Sequence, residues 1–540
     1  MCRPRLIVLW TFVAVSLVSF TQAVAQGTAL ERLIAENQDF ELLHPGEMDD
    51  RLPAPPWLRV LWRKAHPEMA FDPADPTGGY PLLLKEIHEW MESHPDLVPG
   101  EPGPDILPFF AFSNTASGIP LPNVRVSSPA PNPRSESDIQ VFELDPRRIV
   151  AASNNVRGSG RQAQYWSTDG GLTWGQTELD LVPGDAFHSD PTVGWTSDGT
   201  AWSSAIGVLE GFGDLRLRLY RSADGGSTWS FDSTISGDQD ATDKQMVEID
   251  TWPGSPFRDS LYAIWHSGPP VYMNRRRADG TWGAPVRVSG PETRGTGIGA
   301  DVETNSAGHV FGLWPDTGSR KIYMVKSTNG GESWSKPSAV ASTFASFDIG
   351  LPAQERRRAL IYVAAGAWKT PGQDLVYAAW NDLSGAKGCK AAGSEPRSAE
   401  AKCKLRIWFA RSTNGGATWS AKRMIHNPAA KHDQFNPALV VDPATGRIAI
   451  VYYQTATGNP GRKRVDLWYQ SSRDRGATWS APVRVTTAQS DATADSADRS
   501  NQYGDYNGIT GYAGRFLPVW TDRRGGNREE IWTAVVEDPR

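Results

Sequence analysis

Cysteine is almost missing from this chain, with three in 540 residues. That excludes a disulfide-framed small module and a cysteine-built metal site as the basis of the fold. An excess of one charge is missing too: 55 Lys and Arg stand against 61 Asp and Glu, for a formal net charge of -6. Such a balance offers no long-range attraction for nucleic acid or an anionic membrane, so neither is expected as a partner. Phosphate loops, dinucleotide fingerprints and a local Ser-His-Asp signature are absent, and no ligand spacing calls for a metal. No cofactor is expected. Beyond about residue 100 there is no long charged helical pattern.

The N-terminus carries Arg3 and Arg5, then the apolar run LIVLWTFVAVSLVSF and the small-residue site Ala23 to Ala25. The run is short for a membrane span, and the pattern is that of a secretory signal over residues 1–25, cut before Gln26. The mature protein is therefore expected to be secreted or periplasmic, without a membrane segment, and monomeric. Cys2 leaves with the signal. Cys389 and Cys403 remain in the insertion GCKAAGSEPRSAEAKCK, where a bridge would tie off a flexible loop. Chain entropy makes such a bridge worth on the order of 3 kcal/mol. Residues 26–122 read as an extension of two short helices, within PPWLRVLWRKAHPEMAF and YPLLLKEIHEWMESHPDL, followed by a proline-rich passage.

What is abundant is glycine, proline and tryptophan: 52, 40 and 22 residues. Many short strands joined by tight turns use that composition, so residues 123–540 are expected to be all-β. A phrase recurs: STDGGLTW from Ser167, SADGGSTW from Ser222, STNGGESW from Ser327, STNGGATW from Ser412 and SRDRGATW from Ser472. Around each copy lie short strands in the order of a four-stranded propeller blade. Strand pairs begin near Asp138, Asp190, Gln245, Gly299, Ala359, Phe435 and Tyr506. That count predicts a β-propeller of seven blades, with six as the alternative if one pair is misread. The last copy stops after its third strand, and PNVRVSS at Pro122 to Ser128 matches the outer strands APVRVSG and APVRVTT. The ring is thus expected to close by strand exchange.

In the repeated phrase the Asp or Asn accepts hydrogen bonds from nearby N–H groups, glycine takes a positive φ, and the indole covers the hairpin. Asn at 329 and 414 preserves such a turn but cannot act as acid or nucleophile, so the phrase is architecture rather than a site. Its spacing resembles the Asp-box, or BNR, repeat of sialidases and their relatives. The phrases RIVAASNN, SDPTV, FNPALVVDPATGRI and GDYNGI resemble those of large secreted bacterial sialidase-like proteins.

Propeller ligands sit at the mouth of the central channel, lined by the loops that lead into the innermost strands. Here those loops carry Arg134 and Glu136, His188 and Asp190, Asp243 and Lys244, Arg294, Arg356 to Arg358, His432 and Asp433, and Tyr503, Asp505 and Tyr506. The resemblance implies arginines that grip a substrate carboxylate, an acid that protonates the leaving oxygen, and a tyrosine nucleophile. Arg134, Arg294 and one of Arg356 to Arg358 would form the clamp, with His188 and His432 as further substrate contacts. Asp190 or Glu136 would be the acid, Tyr503 or Tyr506 the phenol, and Asp505 a further catalytic carboxyl. The chain departs from the family in lacking a FRIP or YRIP motif and a glutamate obviously placed beside a tyrosine. The partner expected is an extracellular glycan, cleaved by hydrolysis of acidic sugars. A uronate lyase with His188 or a tyrosine as base, and a non-catalytic lectin or scaffold, are the alternatives.

Overall fold

The computed structural model describes residues 112–538 apart from 130–131, 157, 211–213, 391–395, 427–431, 457, 496, 499–500 and 525–527. The expected signal and both expected helices lie outside the described residues. Within them the chain is all-β and forms seven blades around a channel. In chain order the inner strands are Ser135–Val141, Asp185–Trp195, Thr242–Ile249, Asp301–Thr304, Ala364–Thr370, Gln434–Val441 and Gly508–Tyr512. Each pairs antiparallel with a second strand, and third and outer strands follow outwards.

The second strands explain why the sheets stack. Ile149–Asn154, Val310–Asp316 and Ile448–Thr455 are buried along their whole length, because each is covered on both faces by neighbouring blades. Trp265, Trp314, Trp380 and Trp520 close these layers with essentially no exposed surface. At ~25 cal/mol per Å2, an indole burying about 200 Å2 contributes on the order of 5 kcal/mol before ordering entropy. The acid after the tryptophan ties down the next connection: Asp316 accepts the N–H groups of Arg294, Gly295 and Ser319, and Asp382 those of Phe344 and Ala345.

The repeated turn has the bonding that its residue types suggest. Asp169 Oδ1 accepts the N–H groups of Leu172 and Thr173, its Oδ2 accepts the Thr173 hydroxyl at 2.6 Å, and Trp174 Nε1 donates to Gly171 O at 3.1 Å. In the Asn329 copy the amide nitrogen donates to Ser333 Oγ at 2.9 Å instead, reversing one donor and acceptor without changing the turn. Gly170 and Gly171 sit at φ 78° and 91°, which side chains rarely tolerate.

Blade seven closes the ring. Its outer strand is Val124–Arg125, paired with Glu530–Thr533, and Ile119–Pro120 pairs with the final strand Val536–Glu537. Phe112–Ala116 runs parallel to Trp479–Ala481 of blade six. One start differs from the sequence reading. Blade five begins at Ala364 rather than near Ala359, because Asp348–Leu351 and Gln354–Leu360 form a separate hairpin between blades four and five. The cysteines are joined as the disulfide Cys389–Cys403. Among the described residues no helix is long and apolar enough to cross a membrane.

Candidate functional site

The site is made by a backbone irregularity repeated around the channel. Glu136, Asp190, Lys244 and Asn436 all have left-handed φ, at 51°, 52°, 46° and 47°. Each sits where the pairing of its inner strand with the second strand shifts register. A left-handed non-glycine residue costs about 1–2 kcal/mol, and a bulge re-aims the side chain it carries. In the loop before blade seven stands Gly504, φ 72°. A Cβ there would lie 2.5 Å from Glu136 Cγ and 2.9 Å from Glu136 N, so only glycine lets the loop pass.

The re-aimed side chains meet the hairpin inserted before blade five. Arg357 donates from Nε to Asp505 Oδ1 at 2.6 Å, and from Nη2 to Asp505 Oδ2 at 2.5 Å and Glu136 Oε1 at 3.1 Å. The hairpin is held over the channel by Gln502, whose Oε1 accepts the N–H groups of Arg356 and Arg357, and by Gln354, which donates to Gly504 O. Asn154 joins two blades: its amide donates to Glu136 Oε2 and its Oδ1 accepts Asp190 N at 2.9 Å. Ser189 donates to Asp190 Oδ1 at 2.6 Å. The Lys244 ammonium lies 3.6 Å from the centroid of the Tyr506 ring and 5.4 Å from that of Tyr362, a double cation–π contact. Tyr506 donates to Pro191 O at 3.4 Å.

Enclosure sets the charges. Glu136 is 1% exposed, and burial, then Asp505 and Asp190, push its carboxyl well above the ordinary glutamate range. Burial also raises Asp190, but Lys244 and the Ser189 hydroxyl favour its charged form and oppose the shift. Asp243 is held well up by burial and by Asp190. Burial by itself would lower the Arg357 guanidinium; Asp505 and Glu136 outweigh it and hold the group firmly charged. Tyr506 and Tyr362 stay phenols, raised by burial and by the surrounding carboxylates. The cluster therefore gathers carboxyls raised by enclosure, Glu136, Asp243 and Asp190, beside the cations Lys244 and Arg357, which oppose the rise.

Of the residues singled out from sequence, Glu136, Asp190, Asp505 and Tyr506 come together, with Asp243 and Lys244. The three-arginine clamp does not form. Arg134 is buried and donates to Asn155, Arg294 is exposed on a loop held by Asp316, and Arg356 contributes its backbone N–H to Gln502. The arginine that enters the cluster is Arg357, while Arg358 pairs with Asp348 at 2.7 Å. His188 lies in a closed interior, with Nδ1 accepting Gln162 N and Nε2 3.2 Å from the Tyr220 hydroxyl. Burial and Arg218 push it down to about 3, so it is a neutral structural ring. His432 is bonded to Thr455 O, and its neighbour Asp433 pairs with Arg462. Tyr503 is wholly buried against Phe435 and Tyr453, with its hydroxyl accepting Ala492 N.

Tyr362, Asn154 and the channel acids below were not found by sequence reasoning. Tyr362 was reachable: once blade five starts at Ala364, IYVAA falls in register with the other inner-strand starts. Asn154 carries no such signal, since it ends a second strand that reads as plain core.

Beneath the cluster the channel opens into a cavity of about 210 Å3, with Lys244, Tyr362, Asp505 and Tyr506 at its inner end and Leu144, Trp252 and Arg258 at its far rim. Asp138 and Asp301 line it and bind the adjacent blades, accepting Val193 N and Ala365 N at 2.8 Å. Among the described residues no group of three or more His, Cys, Asp or Glu is arranged to hold a metal ion.

Residues 390–494 match a family model described as a BNR repeat-like domain. The chain is a β-propeller, and this stretch of it is BNR repeat-like. Two of the five repeated turns fall inside that match. No curated protein matches the chain. Similar solved structures include a protein of unknown function from Dyadobacter fermentans, 14% identical with TM-score 0.43, covering 78% of this chain and 99% of that one. The α-L-arabinofuranosidase of Fusarium graminearum, solved with arabinobiose, is 12% identical with TM-score 0.43, covering 77% and 98%. A lectin from Burkholderia pseudomallei is 13% identical with TM-score 0.45, covering 74% and 96%. At this similarity none of them speaks for an activity, and the propeller rests on its own seven sheets.

Proposed function

We propose that this protein is a secreted glycoside hydrolase acting on extracellular glycans, with its reaction at the inner end of the propeller channel. The observation that carries this reading is the contrast between Glu136 and Asp190. Burial with two neighbouring carboxylates raises Glu136 well above the ordinary glutamate range, while the smaller rise at Asp190 is opposed by Lys244 and Ser189. Two carboxyls with separated proton affinities are the equipment of glycoside hydrolysis: one protonates the departing oxygen, the other supports or attacks the sugar carbon. Arg357 and Asp505 orient Glu136 rather than grip substrate, since the guanidinium is already engaged in a bidentate pair.

The charges also favour a substrate without a carboxylate. Carboxyls outnumber cations around the cluster, and Arg134, Arg294 and Arg356 do not converge to neutralise an acidic sugar. Hydrolysis of sialosides, which the sequence resemblance suggests, is accordingly the weaker reading. The test is a panel of neutral glycans, sialosides and uronate polymers, read by new reducing ends and by absorbance of an unsaturated product. Reducing ends from a neutral glycan, lost at least a hundredfold in a folded Glu136→Gln variant, support the proposal. An unsaturated product would replace it with a lyase, and binding without either product with a lectin.

A further inference from the structure

The cavity below Lys244 has a wall chemistry that the proposed reaction does not use. Glu248 of blade three and Glu303 of blade four line it, with Asp138, Asp301 and, towards the rim, Glu143. Glu248 accepts the Thr304 hydroxyl at 3.0 Å and Glu303 the N–H of Ala367, and among the described residues no cation acts on either glutamate. The cations lining the cavity are Lys244, committed to two tyrosine rings at the inner end, and Arg258 at the rim. Asn436 and Asn507 line the same space, 1% and 6% exposed, and the side-chain Oδ1 of each meets no donor among the described residues. The amide nitrogen of Asn381, also in the lining, meets no acceptor. Buried polar atoms of this kind are normally satisfied by protein, ordered water or ligand, so a polar ligand would find donors and acceptors here.

We propose that this cavity binds a sugar bearing a free ammonium group, with the ammonium between Glu248 and Glu303 and the hydroxyls bonded to Asn381, Asn436 and Asn507. Carboxylates and amide oxygens face inwards, which suits a cation; the absence of a three-ligand metal arrangement among the described residues favours an ammonium over a metal ion. The amide donor on Asn381 and acceptors on Asn436 and Asn507 suit hydroxyl groups, which a plain polyamine lacks. The inference rests on the channel alone. Under the proposed reaction, the same sugar would meet the cluster through Lys244, Asp505 and Tyr506, which line the cavity; binding without hydrolysis would leave the inference intact and remove only the reaction.

Protonation provides a second readout. Burial pushes Glu248 up to about 8 and Asp138 and Asp301 to about 6, and holds Glu303 well above its usual range. The charged groups facing Glu248 are Glu143, Asp250, Asp301 and Glu303, all acids. An ammonium favours the ionised carboxylates, so binding releases protons and strengthens as pH rises from about 5.5 to about 6.5, a range in which the sugar amine itself stays charged.

The experiment is calorimetry on the full chain with four probes: the glucosamine dimer, its N-acetylated counterpart, spermidine and calcium chloride. Buffers of different ionisation heat at both pH values report the protons released. The expected result is at least tenfold tighter binding of the free-amine dimer than of the acetylated one, proton release, and loss of that preference in Glu248→Gln/Glu303→Gln. Equal binding of both dimers, no binding of either, or tighter binding of spermidine or calcium overturns the proposal. Should the double variant fail to fold, the preference and the proton release of the unaltered chain still decide.

Discussion

Arg357 and Asp505 meet in a bidentate pair, with nitrogen-to-oxygen distances of 2.6 Å and 2.5 Å, although one belongs to the inserted hairpin and the other to the loop before blade seven. The pair does two things: it pins the hairpin over the channel, and it places a third guanidinium bond on Glu136. Replacing Arg357 by Met leaves Asp505 buried without its paired cation. Because the guanidinium retains some exposure, the expected loss is about 3 kcal/mol, the low end for breaking a buried pair. Urea denaturation checks it, and Arg357→Met/Asp505→Asn should recover part of the loss because the uncompensated charge is gone.

The Glu136 proton should govern the alkaline limb of turnover. A proton donor must be protonated to act, so the rate falls as pH rises through the elevated proton affinity of Glu136. Removing Lys244 as Lys244→Met takes away the cation that supports charge on Asp190, so the acidic limb should move to higher pH. Measured pH–rate profiles of the two variants decide this. Glu136→Gln should cost about 10²- to 10⁴-fold in turnover, and an unchanged acidic limb in Lys244→Met would remove Asp190 from its role.

Glu248 should penalise the fold at alkaline pH. Its carboxyl is raised to about 8 in the folded protein from an ordinary 4.5, so the native state holds the proton after the unfolded chain has lost it. Stability from this group is fully present below about 4.5 and is lost as pH rises to about 8. Glu248→Gln should therefore gain on the unaltered protein across that window and run parallel to it above. Melting temperatures at intervals of pH measure the difference.

The repeated turns should tolerate amide for acid. Asn329 and Asn414 already replace the aspartate in two copies, with the reversed bond to the following hydroxyl. Asp169→Asn is expected to be close to neutral, whereas Asp169→Ala removes the acceptor of two backbone N–H groups and should cost about 1 kcal/mol, as a lost cap does. Denaturant midpoints of the two variants separate these outcomes.

Much of the fold was legible because its information is local. Five near-copies of one turn set the blade register, and the likeness of PNVRVSS to the outer strands located the closing strand before any contact was known. The site was legible only in part. Glu136, Asp190, Asp505 and Tyr506 were found by position, since each lies where a connection enters an inner strand. Which way a side chain points depends on the left-handed bulge beside it, and Glu, Asp, Lys and Asn at those bulges share no residue signature. Arg134 and Arg294 occupy suitable loops but lack that turn of the backbone, His188 is held in the interior by Gln162 and Tyr220, and Tyr503 packs there against Phe435 and Tyr453. Arg357 was obscured by two adjacent arginines, of which the hairpin geometry selects one.

Deleting residues 112–128 should unseat blade seven, because Val124–Arg125 is its outer strand and Ile119–Pro120 covers its last one. A lowered, broadened thermal transition and rapid amide exchange at Glu530–Thr533 are the expected signs, and an unchanged transition would show that the exchange is dispensable.

That closure also orders events in time. The strands that meet in blade seven come from opposite ends of the described chain, more than 400 residues apart, so the ring is open throughout synthesis and completes only after Val536 has been made. Until then the leading strands have no partner. The protein consequently matures as a whole rather than blade by blade, and any helper that shields unpaired strands must hold the first of them until the last emerges.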